Sequence, residues 1–193
     1  MTAEPGAAVP SRSVEVELKF DVDEGTAVPD WSAVPGVARV TAGEHRELDA
    51  AYFDDDRRSL ARAGFALRRR TGGPDAGWHI KGPRGADGGR SELQWPLGEA
   101  DVVPEPVRAE LAAVTDAPFL PLARIRNART VYFLLDASER VIAEFADDRV
   151  RTRDERSGAE RAWHEWEVEL GPAAPADPDA RAAFFAAVAE AAL

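Results

Sequence analysis

The chain has 193 residues, of which 45% are hydrophobic, so it can bury the core of one globular domain. Its net charge of −11 argues against nucleic acid or an anionic membrane surface as a general partner, because both are bound by basic faces. The absence of cysteine excludes a disulfide framework and thiolate chemistry, and the short apolar runs predict a cytoplasmic protein with no membrane partner.

The first part of the chain combines a predicted tail with a strongly patterned strand. Residues 1–12 are small, include Pro and show no periodicity, which predicts a flexible tail before a single domain over 13–193. In residues 14–20 apolar and charged side chains alternate, which is typical of a β-strand with two unlike faces. One face would hold Val14, Val16, Leu18 and Phe20, and the other Glu15, Glu17 and Lys19. A solvated strand face is the simpler interpretation of this stretch taken alone.

Similar alternation and turn residues predict about eight strands and three short helices along the chain. The strands are expected over residues 14–20, 44–53, 65–70, 77–81, 90–95, 122–135, 141–148 and 163–170. The helices are expected over residues 57–63, 103–114 and 179–192. Between the second strand and the first helix lies an acidic triplet, Asp54 to Asp56. We interpret it as a turn that caps the helix rather than as a metal site.

Basic residues recur on one face of several strands. On the third strand Arg68 and Arg70 share a face, and Arg69 points the other way. Two guanidiniums on adjacent rungs match the oxygens of phosphate groups, although a solvated arginine strand would show the same pattern. Lys19 and Lys81 are the only lysines among 24 basic residues. In so Arg-rich a chain, this suggests that a compact ammonium group is required at both positions.

On the next two strands, polar residues likewise share one face. On residues 77–81, His79 and Lys81 share one face, and on residues 90–95, Arg90, Glu92 and Gln94 alternate with less polar residues. The three histidines of the chain lie in separate strands without partners at metal-ligand spacing. We therefore interpret them as surface or hydrogen-bonded histidines rather than metal ligands.

The long strand over residues 122–135 carries Arg124, Arg126 and Arg129 as candidate inward-facing cations. A bulge near Asn127 would exchange their faces, so the pattern leaves their orientation open.

The last two strands are acidic on one face. Glu144 and Asp148 share a side of one strand, and Glu165, Glu167 and Glu169 share a face of the other. If this face and that of Glu15 and Glu17 point into one enclosed space, the carboxylates would repel strongly and be costly to desolvate. A hard divalent cation with oxygen ligands is the natural counter-ion.

About eight strands with one charged and one apolar face predict an α+β fold built mainly on an antiparallel eight-stranded β-barrel. Its interior would be charged, and a few flanking helices would cover the apolar outer faces. Such an interior can concentrate positive potential locally although the whole chain is acidic.

Several segments, in order, resemble the CYTH superfamily, also called the triphosphate tunnel metalloenzymes. The ExExK pattern of Glu15, Glu17 and Lys19 is the family's signature, and the resemblance runs from about Val14 to Leu170. The other matching blocks are Tyr52 to Asp54, Leu60 to Arg70, Gly77 to Lys81, Arg90 to Glu92, Ala143 to Val150 and Glu165 to Glu169. The sequence of these blocks is most similar to that of CYTH modules in actinobacterial proteins that carry a helical, phosphate-binding CHAD domain downstream.

The resemblance implies a role for each matching residue. Divalent Mg²⁺ or Mn²⁺ would be held by carboxylates, namely Glu15, Glu17, Asp148, Glu165, Glu167 and Glu169. Triphosphate oxygens would be bound by cations, namely Lys19, Arg68, Arg70, Lys81, Arg90, Arg126 and Arg129. Catalysis would involve Glu17, Lys19 and Lys81, with Glu92 and Glu144 orienting water. The family often has a Lys in its C-terminal helix; here Arg181 is the only cation of that segment.

The function implied by the resemblance is metal-dependent hydrolysis of a triphosphate compound, with inorganic triphosphate or short-chain polyphosphate as the expected substrate. Two alternatives stay open: a polyphosphate-binding module with little turnover, and an adenylyl cyclase of the CYTH type. The many carboxylates favour hydrolysis over simple binding. A homodimer and a CHAD-type domain are the candidate macromolecular partners.

Overall fold

The computed structural model describes residues 9–86, 88–99 and 102–192, and these form ten strands and three helices. The strands are β1 (Ser11–Glu15), β2 (Glu17–Val22), β3 (Arg39–Val40), β4 (Glu44–Asp54), β5 (Ala66–Thr71), β6 (Gly77–Arg84), β7 (Arg90–Trp95), β8 (Leu120–Leu135), β9 (Val141–Asp154) and β10 (Glu160–Leu170). The helices are α1 (Ser59–Arg62), α2 (Glu105–Leu111) and α3 (Pro178–Ala191). The predicted fold class, mainly antiparallel strands with a few helices, is confirmed.

The chain divides into two compact units, each with its own core. Unit 1 contains the described residues up to Glu15 together with Leu48–Arg126 and Thr152–Arg161. Unit 2 contains Val16–Glu47, Asn127–Arg151 and the chain from Ala162 onward. Of the tail predicted over residues 1–12, residues 1–8 lie outside the described part, and β1 begins at Ser11.

In unit 1, strands β1, β7, β6, β5 and β4 are hydrogen-bonded in that order and run antiparallel. Their alternation separates a polar face from an apolar one. The apolar face forms a core that residues of α1 and α2 cover. This agrees with the prediction that flanking helices, including one over 103–114, cover the apolar faces of the strands. The buried members of this core are Phe53, Leu60, Leu67, Trp78, Ile80, Trp95, Val107 and Leu111.

In unit 2, strands β8, β9, β10 and β2 are neighbours in that order, and the short β3 pairs with β8. Phe145 and Trp166 are buried on the apolar side of β9 and β10, where their rings meet edge to face. Trp31, from a single 3-10 turn over Trp31–Ala33, packs against Phe145. Phe184 of α3 completes this core, which agrees with the prediction that the C-terminal helix docks on the sheet.

The first strand differs from the prediction. A single strand over 14–20 was expected, but the structure divides it at Val16 into β1, which pairs with β7, and β2, which pairs with β10. Because β1 and β2 have different partners, the expected apolar face does not continue across the break. Val14, expected on that face, is 67% exposed. This division and the two-residue β3 account for the ten strands instead of about eight.

The acidic triplet has the structural role expected of it. The Asp54 carboxylate accepts hydrogen bonds from the backbone N–H groups of Leu60 and Ala61, at 3.0 and 3.1 Å. The Asp55 carboxylate accepts from the backbone of Ser59 at 2.9 Å. These bonds satisfy the first N–H groups of α1.

Within the described residues, no helix is long and apolar enough to span a lipid bilayer.

We expect Leu111→Ala to lower the free energy of unfolding by about 2–5 kcal/mol, because Leu111 is buried where α2 closes the unit 1 core. The matched control is Leu120→Ala at the start of β8, where the side chain is 41% exposed and the cost should stay below about 0.5 kcal/mol. Urea unfolding of both variants measures the difference. Equal losses would show that α2 does not cover a core.

Candidate functional site

The polar face of unit 2 is organised by the pairing of β2 with β10. Lys19 lies directly opposite Glu167, and Glu17 directly opposite Glu169. Directly opposite residues of an antiparallel pair point to the same side of the sheet. The alternation in the sequence therefore places the charged residues of β2 and β10 on one common face, and Leu18 and Val168 on the other.

Three carboxylates of this face form a group that could hold a metal ion. Asp148 of β9 and Glu165 and Glu167 of β10 each offer one oxygen, and these oxygens lie within 4.8 Å of one another. Asp148 is fully buried. We call these three residues the carboxylate group.

The pKa values within the carboxylate group show which charges are balanced. Burial raises the pKa of Asp148, although Arg129 opposes the shift. Burial also raises the pKa of Glu165. For Glu167, burial is outweighed by the charges of Arg129 and Lys19, which lower its pKa to about 2. Fully buried Asp148 and half-buried Glu165 thus carry charge that their neighbours do not fully offset, and an all-oxygen donor set of this kind fits a hard divalent cation.

Two predicted phosphate ligands are engaged with this group. Arg129 donates to Asp148 Oδ1 at 2.8 Å and to Glu167 Oε2 at 2.6 Å. Burial disfavours the charged Arg129, but these bonds outweigh it and raise its pKa. Lys19 Nζ donates to Glu167 Oε1 and lies 3.7 Å from Glu17. Arg129 and Lys19 therefore neutralise carboxylates of this face.

Glu144, predicted to orient water, lies away from the carboxylate group. It precedes Asp148 by four residues, about 13 Å along β9. Its nearest described basic partner is Arg46, at 3.9 Å.

In unit 1 a second cluster contains the other predicted site residues, and we call it the Lys81 cluster: Glu15, Arg68, His79, Lys81 and Glu92. Lys81 faces Glu92 across β6 and β7, and Arg68 faces His79 across β5 and β6. Lys81 Nζ donates to Glu15 and lies 3.2 Å from Glu92. Arg68 is 3.8 Å from Glu92. Two carboxylates are thus shared among three basic side chains.

The two carboxylates of the Lys81 cluster differ in pKa. Burial raises the pKa of Glu15, and Lys81 opposes this shift only in part. Burial also disfavours ionised Glu92, but its hydrogen bond with His79 and the charge of Lys81 hold its pKa well below the usual range. Glu92 therefore remains a carboxylate at neutral pH.

His79 fixes one side of the Lys81 cluster. It is completely buried, with Nδ1 against Glu92 and Nε2 3.0 Å from the backbone oxygen of Asp75. A carbonyl oxygen only accepts, so Nε2 carries a hydrogen, and Nδ1 must carry a second one to donate to ionised Glu92. Gln94 donates to the same oxygen at 3.1 Å, and the Asp75 carboxylate pairs with Arg70. His79 is thus hydrogen-bonded and buried, as interpreted from the sequence.

Two further predicted phosphate ligands contact other groups, although Arg90 lies directly opposite Glu15 in the pairing of β1 with β7. Arg90 donates to the backbone oxygen of Gly82 at 2.6 Å, which is a structural contact. Arg126 is on an exposed part of β8, where it and Arg124 pair with Asp49 at 3.3 and 2.7 Å. The sequence left the orientation of Arg124, Arg126 and Arg129 open. In the structure Arg124 and Arg126 pair with Asp49, and Arg129 contacts the carboxylate group.

Sequence reasoning missed two participants. Asp75 lies in the turn between β5 and β6, and no pattern marked it as the partner of Arg70. Trp163 donates from its indole Nε1 to Glu165 Oε2 at 2.6 Å. The signal for Trp163 was available, because it is two residues before Glu165 and therefore shares its strand face.

Comparison with known proteins adds three kinds of similarity. A family model described as "CYTH domain" matches residues 13–189. Uncharacterized proteins of Mycobacterium tuberculosis strains CDC 1551 / Oshkosh and H37Rv are each 42% identical over 173 residues, which is 83% of this chain. The chain spans about a third (34%) of the length of each of these relatives.

Solved structures share the fold at low identity. A candidate adenylate cyclase of Bacillus halodurans is 17% identical, with 94% of this chain and 90% of that chain covered and a TM-score of 0.61. A Pyrococcus horikoshii protein is 16% identical, with coverages of 92% and 88% and a TM-score of 0.53. A candidate adenylyl cyclase of Hippeastrum, described as having a dominant triphosphatase activity, is 16% identical, with coverages of 93% and 87% and a TM-score of 0.50.

We expect Arg129→Met to lower the free energy of unfolding by about 3–5 kcal/mol in EDTA, because it leaves buried Asp148 and Glu167 without their shared cation. Added Mn²⁺ should restore part of the loss. The control on the same strand is Arg126→Met: the Arg126 side chain is 67% exposed, and its ion pair with Asp49 should contribute less than about 1 kcal/mol. Urea unfolding with EDTA and with Mn²⁺ tests both. Similar small losses in the two variants would contradict the role given to Arg129.

Proposed function

Because this chain belongs to the CYTH family, we propose that it is a divalent-metal-dependent hydrolase of triphosphate compounds, acting on inorganic triphosphate or short-chain polyphosphate. The observation that carries the proposal is the carboxylate group, in which fully buried Asp148 and half-buried Glu165 keep raised pKa values. A protein gains no stability from such a group unless a cation balances it.

In unit 2, Asp148, Glu165 and Glu167 would hold Mg²⁺ or Mn²⁺, and Glu17 and Glu169 supply further oxygens on the same strand faces. The ion, when bound, supplies positive charge that stabilises a transferring phosphoryl group. Arg129 and Lys19 keep Glu167 ionised, because their charges hold its pKa at about 2. Glu167 is therefore available as a ligand without first losing a proton.

In unit 1, Lys81, Arg68 and Arg70 are proposed to bind phosphate oxygens. Two of the three are held by carboxylates: Lys81 by Glu15 of β1, and Arg70 by Asp75 of the turn between β5 and β6. A phosphate group can replace a carboxylate in either contact, since both are oxyanions. These cations are therefore positioned and charged before an anionic substrate arrives, which reduces the cost of ordering them.

Glu92 is proposed to orient the Lys81 ammonium group rather than to accept a proton. Its pKa is held well below the usual range, and a carboxylate of low basicity is a poor general base near neutral pH. His79 fixes one of its oxygens, and Lys81 lies 3.2 Å from the other. Glu92 would thus set the position of the Lys81 ammonium group. The contact with Lys81 favours Glu92 as a catalytic residue over Glu144, whose described basic partner is Arg46.

An adenylyl cyclase is the second candidate function. The Bacillus halodurans and Hippeastrum proteins carry that description, and the triphosphatase activity stated for the latter supports the first candidate instead. A binding module with little turnover is the third. For partners, a homodimer and a CHAD-type domain are further proposals, and the greater length of the mycobacterial relatives supports testing the latter.

Phosphate release separates these candidates when it is measured against inorganic triphosphate, short polyphosphate, ATP and thiamine triphosphate. Each substrate is assayed with Mg²⁺, with Mn²⁺ and with EDTA, and cyclic AMP is sought by mass spectrometry in the ATP reaction. We expect metal-dependent phosphate release, fastest with inorganic triphosphate or polyphosphate. Cyclic AMP as the main product, or tight binding without turnover, would overturn the proposal.

Asp148→Asn should lower metal-dependent kcat/KM by roughly a hundredfold, about 2.7 kcal/mol, because it removes one ligand charge while keeping the side-chain shape. The control is Glu160→Gln on the exposed start of β10, which should keep wild-type kinetics. Steady-state assays at several Mn²⁺ concentrations test this. Wild-type turnover in Asp148→Asn would exclude Asp148 from the metal site.

Arg68→Ala should raise KM for triphosphate at least about tenfold without changing Mn²⁺ affinity in the absence of substrate, since Arg68 belongs to the Lys81 cluster, where it lies 3.8 Å from Glu92. Arg69→Ala provides the matched control on the opposite face of β5. Kinetics and calorimetric Mn²⁺ titration are compared for both. An equal rise in KM for Arg69→Ala would show that the face of β5 does not select the phosphate ligands.

A further inference from the structure

Trp163 is an aromatic residue on a strand face whose other members are charged. It lies in β10 two residues before Glu165, so the alternation of the strand places it on the side of Glu165 and Glu167. Its side chain is 39% exposed, and it belongs to neither of the two hydrophobic cores. Burial in a core therefore does not explain why a large indole is found here.

The contact that does engage Trp163 is a hydrogen bond. Its indole Nε1 donates to Glu165 Oε2 at 2.6 Å. An indole N–H can only donate, so it requires an acceptor oxygen and favours the ionised form of the carboxylate. The indole thus holds one oxygen of a carboxylate that belongs to the carboxylate group.

The bond also restricts how Glu165 can be oriented. One carboxylate oxygen is occupied by the indole N–H, which leaves the other for a cation. Each member of the carboxylate group offers one oxygen, and these oxygens lie within 4.8 Å of one another. One oxygen of Glu165 is therefore enough for it to act as a ligand. A free Glu side chain would instead sample several rotamers, and ordering it would weaken binding.

We propose that Trp163 is a positioning residue for the metal site: its indole N–H holds one oxygen of Glu165 so that the other is presented alongside Asp148 and Glu167. The inference rests on the proposed function, since it assumes that the carboxylate group binds a divalent ion. It assigns a role to a residue that contacts neither the ion nor the substrate. Groups that orient metal ligands in this way commonly change metal affinity by 10–100-fold.

The test measures Mn²⁺ binding to the whole chain without substrate, by electron paramagnetic resonance of free Mn²⁺. Trp163→Phe keeps an aromatic ring but removes the N–H, and Trp163→Leu removes both. We expect both variants to bind Mn²⁺ roughly tenfold more weakly than wild type, with unchanged thermal midpoints in EDTA. Saturating Mn²⁺ should then restore turnover of triphosphate in Trp163→Phe, because the remaining ligands are intact.

Trp31→Phe is the matched control. Trp31 lies in the same unit, and its Nε1 has no hydrogen-bond partner among the described residues. It should bind Mn²⁺ as wild type does, so a loss shared by Trp31→Phe and Trp163→Phe would point to general damage and overturn the inference.

Two further outcomes separate this inference from the proposed function. Wild-type affinity in Trp163→Phe, whether or not Trp163→Leu binds weakly, would show that the N–H bond does not position Glu165, and would overturn the inference alone. Failure of the wild-type chain to bind Mn²⁺ would remove the metal site itself, and the inference with it.

Discussion

Arg129 places one guanidinium between two carboxylates that the sheet buries, Asp148 and Glu167. Buried charges of like sign are tolerated only when a counter-charge is held at hydrogen-bonding distance, because the attraction must offset the loss of hydration. Unit 1 follows the same rule with Lys81 between Glu15 and Glu92. Arg129 and Lys81 are therefore already engaged in ion pairs, so an anionic ligand that binds either cation must exchange with a carboxylate.

The apolar faces of the same strands offset the free-energy cost of the polar faces. In unit 1 Leu67 and Trp78 are buried behind the strands that carry Arg68 and His79, and in unit 2 Phe145 and Trp166 are buried behind those that carry Asp148 and Glu167. Burial of large apolar side chains contributes about 1.5–3 kcal/mol each, which offsets the cost of desolvating charge on the opposite side. The strict alternation in the sequence thus serves both stability and chemistry.

Alternation alone was enough to predict the faces of Arg68, Glu165 and Glu167 and the presence of all three helices, because period-2 and helical patterns are local properties. The break at Val16 was not predictable, because a change of strand partner leaves the local pattern intact. The contacts of Arg129 and Arg126 also depend on which distant carboxylates come near, Asp148 in one case and Asp49 in the other. Pairing between residues far apart in sequence is information that a single sequence does not contain.

The register between β2 and β10 has a consequence for changes in chain length. Side chains alternate with a period of two, so one residue inserted between Glu17 and Lys19 would move the ammonium group to the face of Leu18 and Val168. Two inserted residues would keep the face and shift Lys19 from opposite Glu167 to opposite Glu165. Odd-numbered insertions or deletions within this strand should therefore be excluded from functional relatives, whereas even-numbered ones would preserve the charge pattern and alter only which carboxylate the lysine neutralises.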